Sequence, residues 1–214
     1  LTKPQRPLVA IVGGSKVSTK IDLLNNLIQK VDTLIVGGGM ANTFLLAQGF
    51  FIGASLAEHA LKDSALTILS SAEKAGCRIL LPTDVVVAKE LNVNAESFVV
   101  PVSECPKASM ILDVGPQTVE KIKESLLNTE TLIWNGPLGA FEKRPFDRAT
   151  SDLANFVSKL SDNNKLVSIA GGGDTLAALK NAEASNGFSY LSTAGGAFLE
   201  WMEGKKLPGI TALH

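Results

Sequence analysis

Five times along this chain a short apolar run ends in glycine: VAIVGGSK (9–16), LIVGGGMA (34–41), LIWNGPLGAF (132–141), VSIAGGGDT (167–175) and LSTAGGAF (191–198). Between them lie segments of helical period. Over residues 18–30, Ile21, Leu24, Leu27, Ile28 and Val31 recur at spacings of three and four, which places them on one helix face. Strand-length β-branched runs alternating with such segments predict βαβ units. The fold class that follows is α/β, a Rossmann-like three-layer sandwich with a mainly parallel central sheet. Further helices are expected over 58–75, 117–127, 148–160 and 195–204, and further strands over 79–81, 84–88, 97–100 and 110–113.

In an open parallel sheet the carboxyl ends of the strands share one edge, so the five glycine clusters become neighbours there. Backbone N–H groups and helix N-termini converging on that edge make an anion cradle. Each glycine alone could equally be a tight strand-to-helix turn; five together favour a phosphate crevice. Neither GxxxxGK[ST] nor GxGxxG occurs. The second absence argues against a dinucleotide-dependent oxidoreductase, which a parallel sheet alone would permit.

Charge sharpens the reading. Lys plus Arg number 20 and Asp plus Glu 21, so no basic field is available for nucleic acid or an anionic membrane, and phosphate recognition must be local. No apolar stretch approaches the roughly 20 residues of a membrane helix. Cys77 and Cys105 stand far apart with no metal-ligand spacing and read as reduced thiols, which suits a cytoplasmic, monomeric protein. The segment LTKPQRP (1–7) reads as a linker or hinge remnant, and 8–214 as one domain.

Candidate site residues follow from position. Lys16 and Lys20, four apart at an expected helix start, would share a face beside the Gly13–Gly14 turn, where a bound phosphate would compensate them; the alternative is a solvated pair. Asp174 could hold Mg²⁺, which needs one or two carboxylates when phosphates supply the rest, or could cap a helix. Thr175 offers a hydroxyl and an N–H, Asn135 an amide, Glu142 an acceptor for ribose hydroxyls, and Pro137 and Phe141 apolar surface for a base. His59 reads as a surface helix residue.

The blocks GGSKVSTK, GGGMANTF, DVGPQT, WNGPLGAFE, AGGGDTLAA and STAGGAFLEWMEGKKLPG, in this order and spacing, resemble the C-terminal, nucleotide-binding domain of the phosphoglycerate kinase family. The resemblance implies reversible phosphoryl transfer between 1,3-bisphosphoglycerate and MgADP, giving 3-phosphoglycerate and MgATP in glycolysis. It implies that the N-terminal domain, which holds the phosphoglycerate, lies outside these residues, and that this half binds ATP or ADP with little turnover of its own. It assigns Lys16, Gly173 and Gly196 to the transferring phosphoryl group and Asp174 to Mg²⁺. To the nucleotide it assigns Gly14, Ser15, Lys16, Lys20, Gly38, Leu56, Leu112, Asn135, Gly136, Pro137, Glu142, Gly172, Gly173, Asp174 and Thr175.

Overall fold

The computed structural model describes residues 4–194 and Met202. Its strands are β1 (Leu8–Val12), β2 (Thr33–Val36), β3 (Arg78–Leu80), β4 (Asp84–Ala88), β5 (Ser97–Pro101), β6 (Met110–Val114), β7 (Thr131–Asn135), β8 (Val167–Gly171) and β9 (Tyr190–Ser192). Its α-helices are α1 (Ile21–Leu27), α2 (Gly38–Ala47), α3 (Lys62–Ala75), α4 (Pro116–Leu126), α5 (Arg148–Asp162) and α6 (Gly173–Asn181).

Six strands form one sheet in the order β3-β2-β1-β7-β8-β9, every neighbouring pair parallel. Every residue of β1, β2 and β7 is buried, the mark of a sheet covered on both faces. Because side chains alternate along a strand, Ala10, Val12, Leu34 and Val36 pack on one side with Leu24, Phe44 and Ile68 of α1, α2 and α3. Val9, Ile11, Ile35 and Trp134 pack on the other with Ile122, Leu153 and Leu179 of α4, α5 and α6. The three-layer α/β sandwich expected from the glycine-ended runs is therefore present. The chain winds outward one way from β1 through β3, then returns to β7 and winds the other way, so the ends of β1 and β7 face a topological switch point.

The middle of the chain departs from a single sheet. Of the strands expected there, the first joins the parallel sheet as its edge β3, while the others form a separate antiparallel sheet, β5-β4-β6. The connection over 89–96 is too short for a parallel crossover, which takes about a dozen residues, but suffices for an antiparallel return. Val85 and Val87 of this sheet pack on Leu45 and Ile52, giving the domain a third apolar cluster. Helix α2 escapes sequence periodicity because it is wedged between the two sheets, with Met40 through Leu45 all buried; an all-round buried helix shows no amphipathic face.

Two helix starts are later than expected. Residues 18–20 form a turn and α1 begins at Ile21, so Lys16 and Lys20 do not share a helix face. A 3-10 turn, His59–Leu61, precedes α3; His59 is exposed on it, at the surface as expected but outside the α-helix.

Asp84 joins the small sheet to α4, which packs on the large sheet. Its buried carboxylate accepts the N–H of Gln117 at 3.0 Å, the N–H of Thr118 at 2.7 Å and the Thr118 hydroxyl at 2.6 Å, satisfying free donors at the start of α4. Replacing Asp84 with Ala strands these donors, and each hydrogen bond to a charged group is worth about 1.5–3 kcal/mol. We expect Asp84→Ala to cost about 3 kcal/mol of unfolding free energy, read from the shift of a urea denaturation midpoint.

Candidate functional site

At the switch point the backbones of β1 and β7 come into direct contact beyond their last residues. Gly13 N–H donates to Asn135 O at 2.8 Å, and a Cβ on either Gly13 or Gly136 would overlap the backbone of the opposite chain. Gly136 also has φ of 99°, a conformation that L side chains disfavour. The turn is then locked from behind: Trp134 Nε1–H donates to Gly136 O at 2.8 Å, and Gly136 N–H donates to the buried Thr175 Oγ1 at 2.7 Å. Asn135, 3% exposed, donates through Nδ2 to Gly171 O at 2.8 Å.

Lys20 completes this network. Its Nζ donates to Gly13 O and to Asn135 Oδ1, each at 2.6 Å, so two strand ends meet at one ammonium and Asn135 ties a third, that of β8, to them. Burial pushes the Lys20 pKa down to about 8, with nearby Asp174 pulling in the opposite direction. A cation held by two neutral acceptors at the mouth of a glycine-rich turn is suited to an anionic ligand.

In front of the network lies a cleft of about 340 Å³. Of the residues singled out by sequence, it brings together Gly14, Ser15, Gly38, Leu56, Leu112, Pro137, Glu142 and Asp174, with Phe141 beside them. Leu56, Leu112, Pro137 and Phe141 give it an apolar wall, and Glu142 and Asp174 supply carboxylates. The wall formed by residues 136–141 is clamped at several points: Leu138 N–H donates to Thr150 Oγ1 at 3.0 Å, Leu138 O accepts from Gly38 N–H at 2.8 Å, and Ala140 N–H donates to Leu112 O at 2.8 Å.

Asp174 is exposed in the first turn of α6 and makes no hydrogen bond among the described residues. The capping alternative therefore has no bond behind it. Gly172 is the residue before that helix and Gly173 its first. The side chains of Asn135 and Thr175 lie behind the cleft surface, engaged in the network, so what they offer is positioning of Lys20 and of the Gly136 turn. Lys16 is exposed on the loop between β1 and α1, outside the cleft lining. Gly196 falls outside the described residues. No cluster of three or more His, Cys, Asp or Glu side chains able to hold a metal occurs among the described residues. A single exposed carboxylate such as that of Asp174 is enough for a cation that arrives on phosphates.

Three participants were not singled out by sequence. Asn42 lines the cleft and donates to Leu56 O at 3.1 Å. Asp113, wholly buried under Gly139, accepts from Ala149 N–H at 3.0 Å and Val114 N–H at 2.9 Å, and burial holds its carboxyl well above the usual range despite those bonds. Its only sequence signal is an acidic residue ending an apolar strand. Glu58 accepts from Ser18 N–H at 2.9 Å and from the Ser18 hydroxyl. Desolvation pushes its carboxyl up, but the Ser18 and Val17 donors and the Lys16 charge outweigh this and bring it below the ordinary value.

Comparison with known proteins places this geometry. The family model described as phosphoglycerate kinase matches residues 1–205. The chain belongs to the phosphoglycerate kinase family. It is 59% identical over 214 residues to the phosphoglycerate kinase of Chelativorans sp. and 60% identical over 213 residues to that of Cereibacter sphaeroides, covering 100% of this chain and 54% of each relative. The phosphoglycerate kinase structure from Coxiella burnetii superposes with a TM-score of 0.94 at 49% identity, over 100% of this chain and 54% of that one. The one from Pyrococcus horikoshii OT3 gives 0.74 at 26% identity, over 98% and 52%. The chain thus spans about half the length of the relatives it matches.

The Lys20 environment has a measurable consequence. Below about pH 8 the ammonium is protonated in both folded and unfolded chains. Between there and the ordinary lysine value of 10.5 the unfolded chain binds more protons, so this group makes stability rise with pH across that window. Lys20→Met should flatten that rise, as read from urea unfolding of both proteins at intervals from about pH 7.5 to 10.5.

Proposed function

We propose that this chain is the nucleotide-binding half of a phosphoglycerate kinase, with residues 8–214 as the C-terminal domain and 1–7 as the hinge segment leading from an N-terminal domain. The observation that carries the proposal is the cleft at the β1–β7 switch point, where an apolar wall meets a glycine-built turn centred on the Lys20 ammonium. A purine base fits between Leu56, Leu112, Pro137 and Phe141, and Glu142 lies within the same cleft to accept ribose hydroxyls. The phosphates then run toward Lys20 and the start of α6.

The reaction is reversible in-line transfer of a phosphoryl group from the acyl phosphate of 1,3-bisphosphoglycerate to ADP, giving 3-phosphoglycerate and ATP. It needs positioning and charge neutralisation rather than a covalent enzyme intermediate. The N–H groups at the start of α6, from Gly173 onward, face developing negative charge, and Gly196 joins them in this reading. Lys16, whose exposed side chain makes no hydrogen bond or ion pair among the described residues, supplies a mobile positive charge to the phosphoryl group in flight. Asp174 holds Mg²⁺ that arrives with the nucleotide; the ion, when bound, neutralises phosphate charge. The acid substrate binds the other domain, so the halves must close for transfer, excluding water. Among the described residues no helix is long and apolar enough to cross a membrane; a cytoplasmic, monomeric enzyme whose balanced charge provides no basic field for nucleic acid or lipid is part of the same proposal.

Titration calorimetry tests the nucleotide reading on this chain: MgADP should bind in preference to NADH, and the reverse preference would sink it. Asp174→Asn should weaken binding of the Mg-nucleotide more than of metal-free nucleotide, whereas equal losses would remove Asp174 from the metal. In the two-domain enzyme, Lys16→Ala should lower kcat by about a hundredfold or more with little change in nucleotide affinity. An unchanged kcat would end that assignment.

A further inference from the structure

The loop that carries Lys16 has no regular structure of its own; Ser15 and Val17 are bends, 18–20 is a turn, and Lys16 lies between the bends in irregular backbone. Three anchors fix it. Val17, fully buried, pins it to the main core. Lys20 is held at the switch point by Gly13 O and Asn135 Oδ1. Between these, Ser18 is bound through both its N–H and its hydroxyl to the carboxylate of Glu58, toward which the Val17 N–H also points.

Glu58 is itself mounted rigidly. Its own N–H donates to Thr43 Oγ1 at 3.0 Å, and Thr43 lies fully buried on α2. Two residues earlier, Leu56 O is held by Asn42 of the same helix at 3.1 Å, and the Leu56 side chain lines the base end of the cleft. Residues 56–58 thus form a short strap bolted to α2. One end touches the nucleoside wall and the other grips the loop immediately after Lys16. The strap also places a negative charge next to the Lys16 ammonium, where its attraction is felt in the Glu58 carboxyl. A carboxylate this near a phosphate path would oppose an anionic ligand, but the Ser18 and Val17 donors keep it turned toward the loop.

We infer that Glu58 is a positioning residue for Lys16: by binding the Ser18 N–H and the Ser18 hydroxyl, it fixes where the lysine stands when phosphoryl transfer occurs. This rests on the transfer role proposed above for Lys16. A group that acts only through Lys16 has no effect once Lys16 is gone, and that is what separates positioning from general support of the fold.

The experiment is a double-mutant cycle in the two-domain enzyme. Glu58→Gln keeps a carbonyl acceptor and the side-chain shape while removing the charge. It should lower kcat by about tenfold or more and change the KM for nucleotide by less than about twofold. In a Lys16→Ala background the same substitution should change kcat by less than about twofold. Ser18→Ala, which leaves Glu58 untouched, should show the same pattern with a smaller loss and serves if the Gln variant does not fold. Equal fold losses in both backgrounds would overturn the inference and leave Glu58 as ordinary scaffold. So would an unchanged kcat for Glu58→Gln alone. If Lys16→Ala itself left kcat intact, the transfer role of Lys16 would fall first and the inference with it.

Discussion

The contact between Gly13 and Gly136 is the constraint on which the site depends. Two strand ends meet with no room for a β-carbon on either side, and everything that gives the cleft its chemistry is referenced to that meeting. Lys20 reaches Gly13 O and Asn135 Oδ1 only because those strands lie at this distance. Thr175, at the start of α6, reads the same turn by accepting from Gly136 N–H, so the helix bearing Asp174 is aligned to the strand ends by a buried bond. Side-chain bulk at the contact would part the strands, and the ammonium, the amide and the helix start would lose their common reference.

Much of this was legible in the sequence because it is written in period and punctuation. Alternating strands ending in glycine, with helix-period segments between, give a two-faced parallel sheet, and the clusters at 13–14, 37–39, 136 and 171–173 do follow β1, β2, β7 and β8 along one edge. What was not legible is tertiary. Helix α2 has no polar face to betray it, since both sheets cover it. The antiparallel sheet is a matter of pairing direction, which short strands do not encode. Ser18 leaves the helix to which its periodicity assigns it because a carboxylate forty positions away offers its N–H a partner.

The residue types around the crevice were also readable, but not what each one does there. Asn135 and Thr175 look, in one dimension, like groups ready to touch a ligand. In the fold both are spent on internal bonds that orient the turn and Lys20. Asp113 and Glu58 are not singled out by the sequence, yet each organises backbone next to the cleft. A polar side chain's role is decided by whether the fold supplies its partners before a ligand does, and that is a property of packing.

The small antiparallel sheet occupies the crossover between β3 and α4, and its β6 contributes Met110, Ile111 and Leu112 to the lining of the cleft. The Lys20 network, by contrast, is assembled from ends of the parallel sheet. In the proposed reading the small sheet thus contributes Leu112 to a base slot whose other walls, Leu56, Pro137 and Phe141, lie outside it, and the two parts meet at the Ala140 N–H bond to Leu112 O. A change in the small sheet would therefore reshape one wall of the slot while leaving the Gly13–Gly136 contact and the Lys20 network as they are.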